Sequence, residues 1–189
     1  DDHPDTLVSI NNVGLLLAGQ GKLNEAEPYY RESLDKSRRV LGDEHKDTLI
    51  SVNNMGYLLY RQGKLAAAEP FFREALEKRR RLLGEEHELT LTSINNVGML
   101  LLSQEKLGAA EPLLREVLAK RQRELGDEHP TTLGSITNLA GLLRAQGKLD
   151  EAEHQYKKAV ERFRRVLGDE HVDTLSTLEH LGNLLREQG

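Results

Sequence analysis

Five histidines, His3, His45, His87, His129 and His171, stand 42 residues apart with no gap between copies. The same interval relates Thr6, Thr48, Thr90, Thr132 and Thr174, and again Leu41, Leu83, Leu125 and Leu167. A fixed period of roughly 20–50 residues restricts a chain to a solenoid, a propeller or an array, because one unit cannot bury its own apolar side. The pattern inside the unit decides among these. On a helix of 3.6 residues per turn, the stretch Thr48 to Leu65 puts Leu49, Val52, Met55, Gly56, Leu58 and Leu59 on one side. The opposite side carries Ile50, Asn53, Asn54, Tyr57, Tyr60 and Arg61. The first side is a packing surface. The second mixes amides, aromatics and a charge that folding one helix does not require.

Each unit reads as two helices. The first runs from about Asp5 to Gln20 and stops at Gly21, and the second runs from about Asn24 to Leu41 with Ala26, Tyr30, Leu34 and Leu41 on one face. Asn24 with Glu27, and Asp150 with Glu153, have the spacing of a capping box. Pro28, Pro70 and Pro112 are expected near the first turn, where a missing amide costs least. Gly42, Gly84, Gly126 and Gly168 end the second helices. No alternating run is long enough for a strand. The expectation is an all-α solenoid of nine helices in a single domain, 1–189, with repeats 1–42, 43–84, 85–126 and 127–168 and a final half repeat 169–189. Small residues recur at Gly14, Gly56, Gly98, Ala140 and Gly182. Glycine costs a helix interior about 1 kcal/mol relative to alanine. Its recurrence therefore marks a close helix contact, and Gly56→Leu should clash.

Composition narrows function more than fold. The 189 residues are 38% apolar, 30% charged and 4% aromatic, a balance that suits helices around a substantial core. A net charge of −5 gives no nucleic-acid footprint. The absence of cysteine excludes disulfides and thiolate chemistry. Apolar runs such as VGLLLA and VGMLLL are too short to span a bilayer. No membrane association is expected, and a cytoplasmic location is. The chain begins and ends in mid-pattern, as a piece of a longer protein would.

The segments NNVG (Asn11 to Gly14), QGKLNEAEPYYRESL (Gln20 to Leu34) and LGDEH (Leu41 to His45) resemble the tetratricopeptide repeat (TPR), in the 42-residue form of kinesin light chains. The shorter form has 34 residues, often with an aromatic where Ile10 stands and a proline after the second helix. The resemblance implies a right-handed superhelix whose first helices line a concave, peptide-binding groove. Similar 42-residue arrays are also sensor regions of multidomain signalling ATPases, which near-identical copies resemble at least as much.

At the groove-facing register, Asn11, Asn53 and Asn95 give way to Thr137 and Glu179, and Asn12, Asn54, Asn96 and Asn138 to His180. A carboxamide offers donors and an acceptor, so such a ladder can hold an extended backbone without reading its sequence. It can equally bridge neighbouring first helices. Specificity is expected from Tyr57, Tyr60 and Met99, and from Arg61 and Arg144, whose forks suit a carboxylate or phosphate. The partner expected is an acidic or aromatic-containing protein segment. The alternative role is self-assembly, end to end, through Leu175, Leu178, Leu181 and Leu185.

The histidine series invites a metal reading, but one histidine per equivalent loop, beside acidic residues, suits helix capping instead. The basic runs Lys78 to Arg81, Lys120-Arg121 and Arg162 to Arg165 end second helices, where cations favour the helix dipole, and are expected to form a solvated, charge-paired face. No phosphate loop or nucleophile elbow is present, and Ser9, Ser51 and Ser93 recur as repeat positions. No catalysis, cofactor or metal is expected.

Overall fold

The computed structural model describes residues 4–189, the side chains of Pro4 and Asp5 excepted, so His3 lies outside the described residues. Among the described residues there are nine α-helices and no strand. They are α1 (Pro4–Gly19), α2 (Leu23–Leu41), α3 (Lys46–Arg61), α4 (Leu65–Leu83), α5 (Glu88–Ser103), α6 (Leu107–Leu125), α7 (Pro130–Ala145), α8 (Leu149–Leu167) and α9 (Val172–Gln188). The chain divides into two compact units, one up to Leu100 and one from Leu101, with the boundary inside α5.

In the first unit α1 packs on α2, α2 on α3, and α3 on α4. The side of α3 read as a packing surface is buried throughout. Leu49, Val52, Met55, Leu58 and Leu59 are core residues, together with Ala68, Phe72 and Ala75 of α4. The glycines explain how closely the paired helices approach. A Cβ on Gly56 would stand 2.9 Å from Cδ1 of Phe72 and 3.1 Å from Cβ of Phe71, and one on Gly14 would stand 3.0 Å from the Tyr30 ring. In both of these pairs the second helix thus lays an aromatic ring on the bare backbone of the first. Gly182 departs from the expectation, since a Cβ there meets nothing within 4 Å.

In the second unit α6 packs on α7, α7 on α8, and α8 on α9. Leu133, Ile136, Ala159 and Phe163 form one buried cluster, bordered by Leu118 and Leu167. The last helix buries Thr174, Thr177 and Leu184. Of the leucines expected on its open face, Leu175 and Leu185 are exposed while Leu178 and Leu181 are half-buried.

Helix ends follow the sequence in part. The second helices stop on Gly42, Gly84, Gly126 and Gly168, each with φ between +83° and +91°, a region that costs other residues a Cβ clash. Their starts correct the capping-box expectation. α2 and α8 begin at Leu23 and Leu149, with Lys22 and Lys148 as caps and no side-chain cap bond. Asn24 and Asp150 therefore lie within the first turn, and Glu27 turns outward to Gln62 and Arg31. Pro28, Pro70 and Pro112 are the sixth residues of their helices, in the helix interior. Each omits a ladder bond there, contrary to the first-turn expectation.

Candidate functional site

The outward side of the first helices in the first unit carries most of the expected site residues. Asn11 is buried, Asn53, Asn54, Asn95, Asn96, Tyr60 and Met99 are half-buried, and Asn12, Tyr57 and Arg61 are exposed. The amides do bridge first helices. Asn54 Nδ2 donates to Asn11 Oδ1 at 3.0 Å, and Asn96 Nδ2 donates to Asn53 Oδ1 at 2.9 Å. A carboxamide has two N–H donors and two lone pairs, so each of these pairs uses a fraction of its capacity and holds the rest in a fixed orientation. Bridging and ligand contact are compatible.

Beside the amides the surface turns aromatic. The Tyr57 and Tyr60 rings stack with centroids 6.3 Å apart, and Tyr60 in turn meets Phe72 at 6.3 Å. Tyr57 keeps 48% of its surface in solvent, and Val8 and Leu15 on α1 are comparably open. Arg61 forms no ion pair among the described residues. Its charge reaches Tyr30, whose hydroxyl burial pushes up and Arg61 pulls back. Asn138 and Arg144 belong to α7 in the second unit. Arg144 Nε already donates to the Glu187 carboxylate at 2.7 Å, so its fork is engaged within the chain.

The histidines cap helices as the sequence implied. His45 Nδ1 accepts from the backbone N–H of Asp47 at 3.2 Å, His87 from Leu89 at 3.1 Å, His129 from Thr131 at 3.3 Å and His171 from Asp173 at 3.2 Å. Among the described residues no three His, Cys, Asp or Glu side chains converge as metal ligands.

A profile of the tetratricopeptide repeat matches residues 5–80, 47–123 and 130–189. The chain belongs to the tetratricopeptide-repeat family. Solved structures agree on the fold. The nearly identical TPR-like repeats of a Podosopora anserina kinesin light chain superpose with a TM-score of 0.76 at 23% identity, covering 99% of this chain and 89% of that one. A point variant of that protein gives 0.77 at 23%, covering 99% and 88%. BtubC (BKLC) from P. vanneervenii gives 0.71 at 25% identity, covering 87% of this chain and 65% of its own. A search of curated proteins by sequence finds no match. This TPR array is thus of the 42-residue, kinesin-light-chain-like type, and the general role of such repeats is protein–protein interaction. Among the described residues no helix is long and apolar enough to cross a membrane.

Within the TPR array, the basic runs need one correction. Lys78 pairs with Glu74, Arg80 with Glu85, Arg81 with Glu44, Arg162 with Asp127 and Arg165 with Glu128, as a charge-paired face should. Arg79 and Arg121 are instead buried, 2% and 5% exposed. Arg79 donates from Nη1 to the Leu89 carbonyl at 3.1 Å and the Ser93 hydroxyl at 2.8 Å, and from Nη2 to the Leu49 carbonyl at 3.2 Å. It thereby ties α3 to α5. Burial pushes its guanidinium down to about 10, which still leaves it protonated at neutral pH. Arg121 donates to the Ser135 hydroxyl at 3.0 Å in the same manner. The sequence carried a signal for this. Register 37, 79, 121 and 163 lies one turn beyond Leu34 and two beyond Tyr30, on the packed face.

A second recurring contact was not foreseen. Gln62 Nε2 donates to Glu27 at 2.9 Å, and Gln146 Nε2 donates to Glu111 at 2.7 Å, the same positions in different repeats. Hydrogen bonds from Gln62 and Arg31 hold the Glu27 carboxyl down to about 2.

Proposed function

We propose that the first-helix face of the first unit captures an extended segment of a partner protein. The observation that carries this reading is the adjacency of paired amides, Asn11–Asn54 and Asn53–Asn96, to the open Tyr57 ring and an Arg61 without an ion pair. Oriented amides suit the alternating N–H and C=O groups of an extended backbone. Tyr57 supplies a flat apolar contact at small entropic cost, and Arg61 a fork for a carboxylate. A segment with an acidic or aromatic residue beside an extended stretch fits this chemistry best. Arg144, paired with Glu187, takes no first part in it.

The test is a peptide array probed with the wild type, with Tyr57→Ala/Arg61→Ala, and with Asn54→Ala/Asn96→Ala. Tyr57 and Arg61 are exposed, so the first variant should fold unchanged and lose the peptides that the wild type retains. Equal retention would sink the reading. A second role, self-association through Leu175 and Leu185 of α9, is favoured by their exposure of 52% and 43%. Light scattering across a concentration series tests it, and a species that remains monomeric throughout rules it out.

A further inference from the structure

The layer between α1 and α3 contains a pocket of about 280 Å³, lined by Leu7, Asn11, Ser37, Asp47 and Ser51 among others. Its cause is one substitution in the repeat. Position 37 is the register of Arg79, Arg121 and Phe163, all buried and all large. Here it holds Ser37, 1% exposed, and the space those side chains fill in later repeats is left open.

The pocket walls show what chemistry that space takes. The acceptors of the Arg79 guanidinium are the Leu49 carbonyl, the Leu89 carbonyl and the Ser93 hydroxyl. Subtracting one repeat of 42 residues gives Leu7, Asp47 and Ser51, and all three line the pocket. Their local geometry also matches. Ser51 Oγ donates to the Asp47 carbonyl at 3.1 Å, as Ser93 Oγ donates to the Leu89 carbonyl at 3.2 Å; Ser51 also accepts from Ser33 Oγ at 3.1 Å, which leaves one of its two lone pairs for an incoming donor. Arg121 and Ser135 repeat the arrangement, with Ser135 donating to the Thr131 carbonyl at 3.1 Å. One residue differs. Where the Arg79 layer has Leu89, this pocket has Asp47, whose carboxylate lies 3.7 Å from His45 Nδ1 and whose backbone carbonyl is the equivalent acceptor. Val8, Leu15, Leu41 and Ile50 supply apolar wall for a methylene stem. The volume falls below the range of about 300–1,000 Å³ usual for drug-sized ligands, which fits a single side chain.

We propose that this pocket is a guanidinium site, filled in the complex by an arginine side chain of the bound segment. The second clause rests on the segment-capture reading; the guanidinium chemistry does not. The array thus recognises an arginine supplied from outside with the acceptors that, two helices later, hold one of its own.

The probe is Nα-acetyl-arginine methylamide, with the lysine counterpart beside it, titrated into the 15N-labelled protein and followed by amide chemical shifts. Saturable shifts at Leu7, Asp47 and Ser51 are expected, with about tenfold weaker binding of the lysine probe because an ammonium cannot present a fork. Ser37→Arg and the neutral filler Ser37→Met, each shown by its spectrum to be folded, should both abolish the shifts. No shift at these three residues, equal lysine binding, or unchanged binding in a folded filler variant would overturn the site. The two readings fail separately. Probe binding with no peptide captured sinks the segment and leaves the site. Peptides captured alike by wild type and Ser37→Met, with no probe shifts, sink the site and leave the segment.

Discussion

The layer between α1 and α3 and the layer between α3 and α5 share a backbone plan and an amide bridge, yet differ in what fills them. In the second, Arg79 runs through the interior and bonds to both flanking helices. In the first, Ser37 bonds to neither, Ser33 and Ser51 share a hydroxyl contact at 3.1 Å, and a pocket opens. The backbone plan of the repeat is therefore the same whatever fills this register. The hairpin contacts, glycine against aromatic, are common to both repeats and set the geometry. The filling is left to serve strength in one layer and recognition in the other.

The largest expected effect comes from making the second layer like the first. Arg79→Ser should lower the unfolding free energy by about 3 kcal/mol, since it leaves two carbonyls and a hydroxyl unpartnered around a new cavity. Urea denaturation measures it, and a loss under about 1 kcal/mol would mean that the buried cation contributes little to holding α3 on α5. Next come the hairpins, which should behave alike. Gly56→Leu and Gly14→Leu should each cost about 2 kcal/mol through overpacking against Phe72 and Tyr30, while Gly182→Leu stays within about 0.5 kcal/mol. Thermal melts of the three decide it, and unequal losses at Gly14 and Gly56 would break the claim that the hairpins are equivalent.

A smaller effect tests the amide bridge. Asn54→Ala and Asn96→Ala should each cost about 1 kcal/mol, equally in the two layers, by denaturant titration. The smallest concerns Glu27. Its folded value is held below the ordinary 4.5, down to about 2, so its stabilisation is present above 4.5 and is lost as pH falls through about 2. Glu27→Gln should flatten that acid limb, by under about 1 kcal/mol because the contact is near the surface. An unchanged limb would show that Gln62 and Arg31 do not hold the carboxylate.

Much of this was legible in the residues. The gap-free interval of His45, His87, His129 and His171 established the repeat, and the 3.6 periodicity of Leu49, Val52, Met55 and Leu59 established the helix and its buried side. Gly56 announced a close contact, because a glycine kept in a helix interior needs a reason. Less legible were events decided across repeats. Asn54 and Asn11 are 43 residues apart, and no local pattern states whether two amides meet each other or a ligand. Arg79 reads as one charge in a solvated run, because the neighbours Lys78, Arg80 and Arg81 all reach surface carboxylates.

The sequence alone thus determined the family, the helices, their caps at His45 and Gly42, and the apolar side of each, since all follow from local periodicity and backbone stereochemistry. Only the tertiary structure decided that Arg79 is interior, that Arg144 is engaged by Glu187, and that Ser37 leaves a pocket. Those outcomes depend on which side chains meet at the distance set by stacked helices, and that distance is a property of neighbours rather than of any one segment.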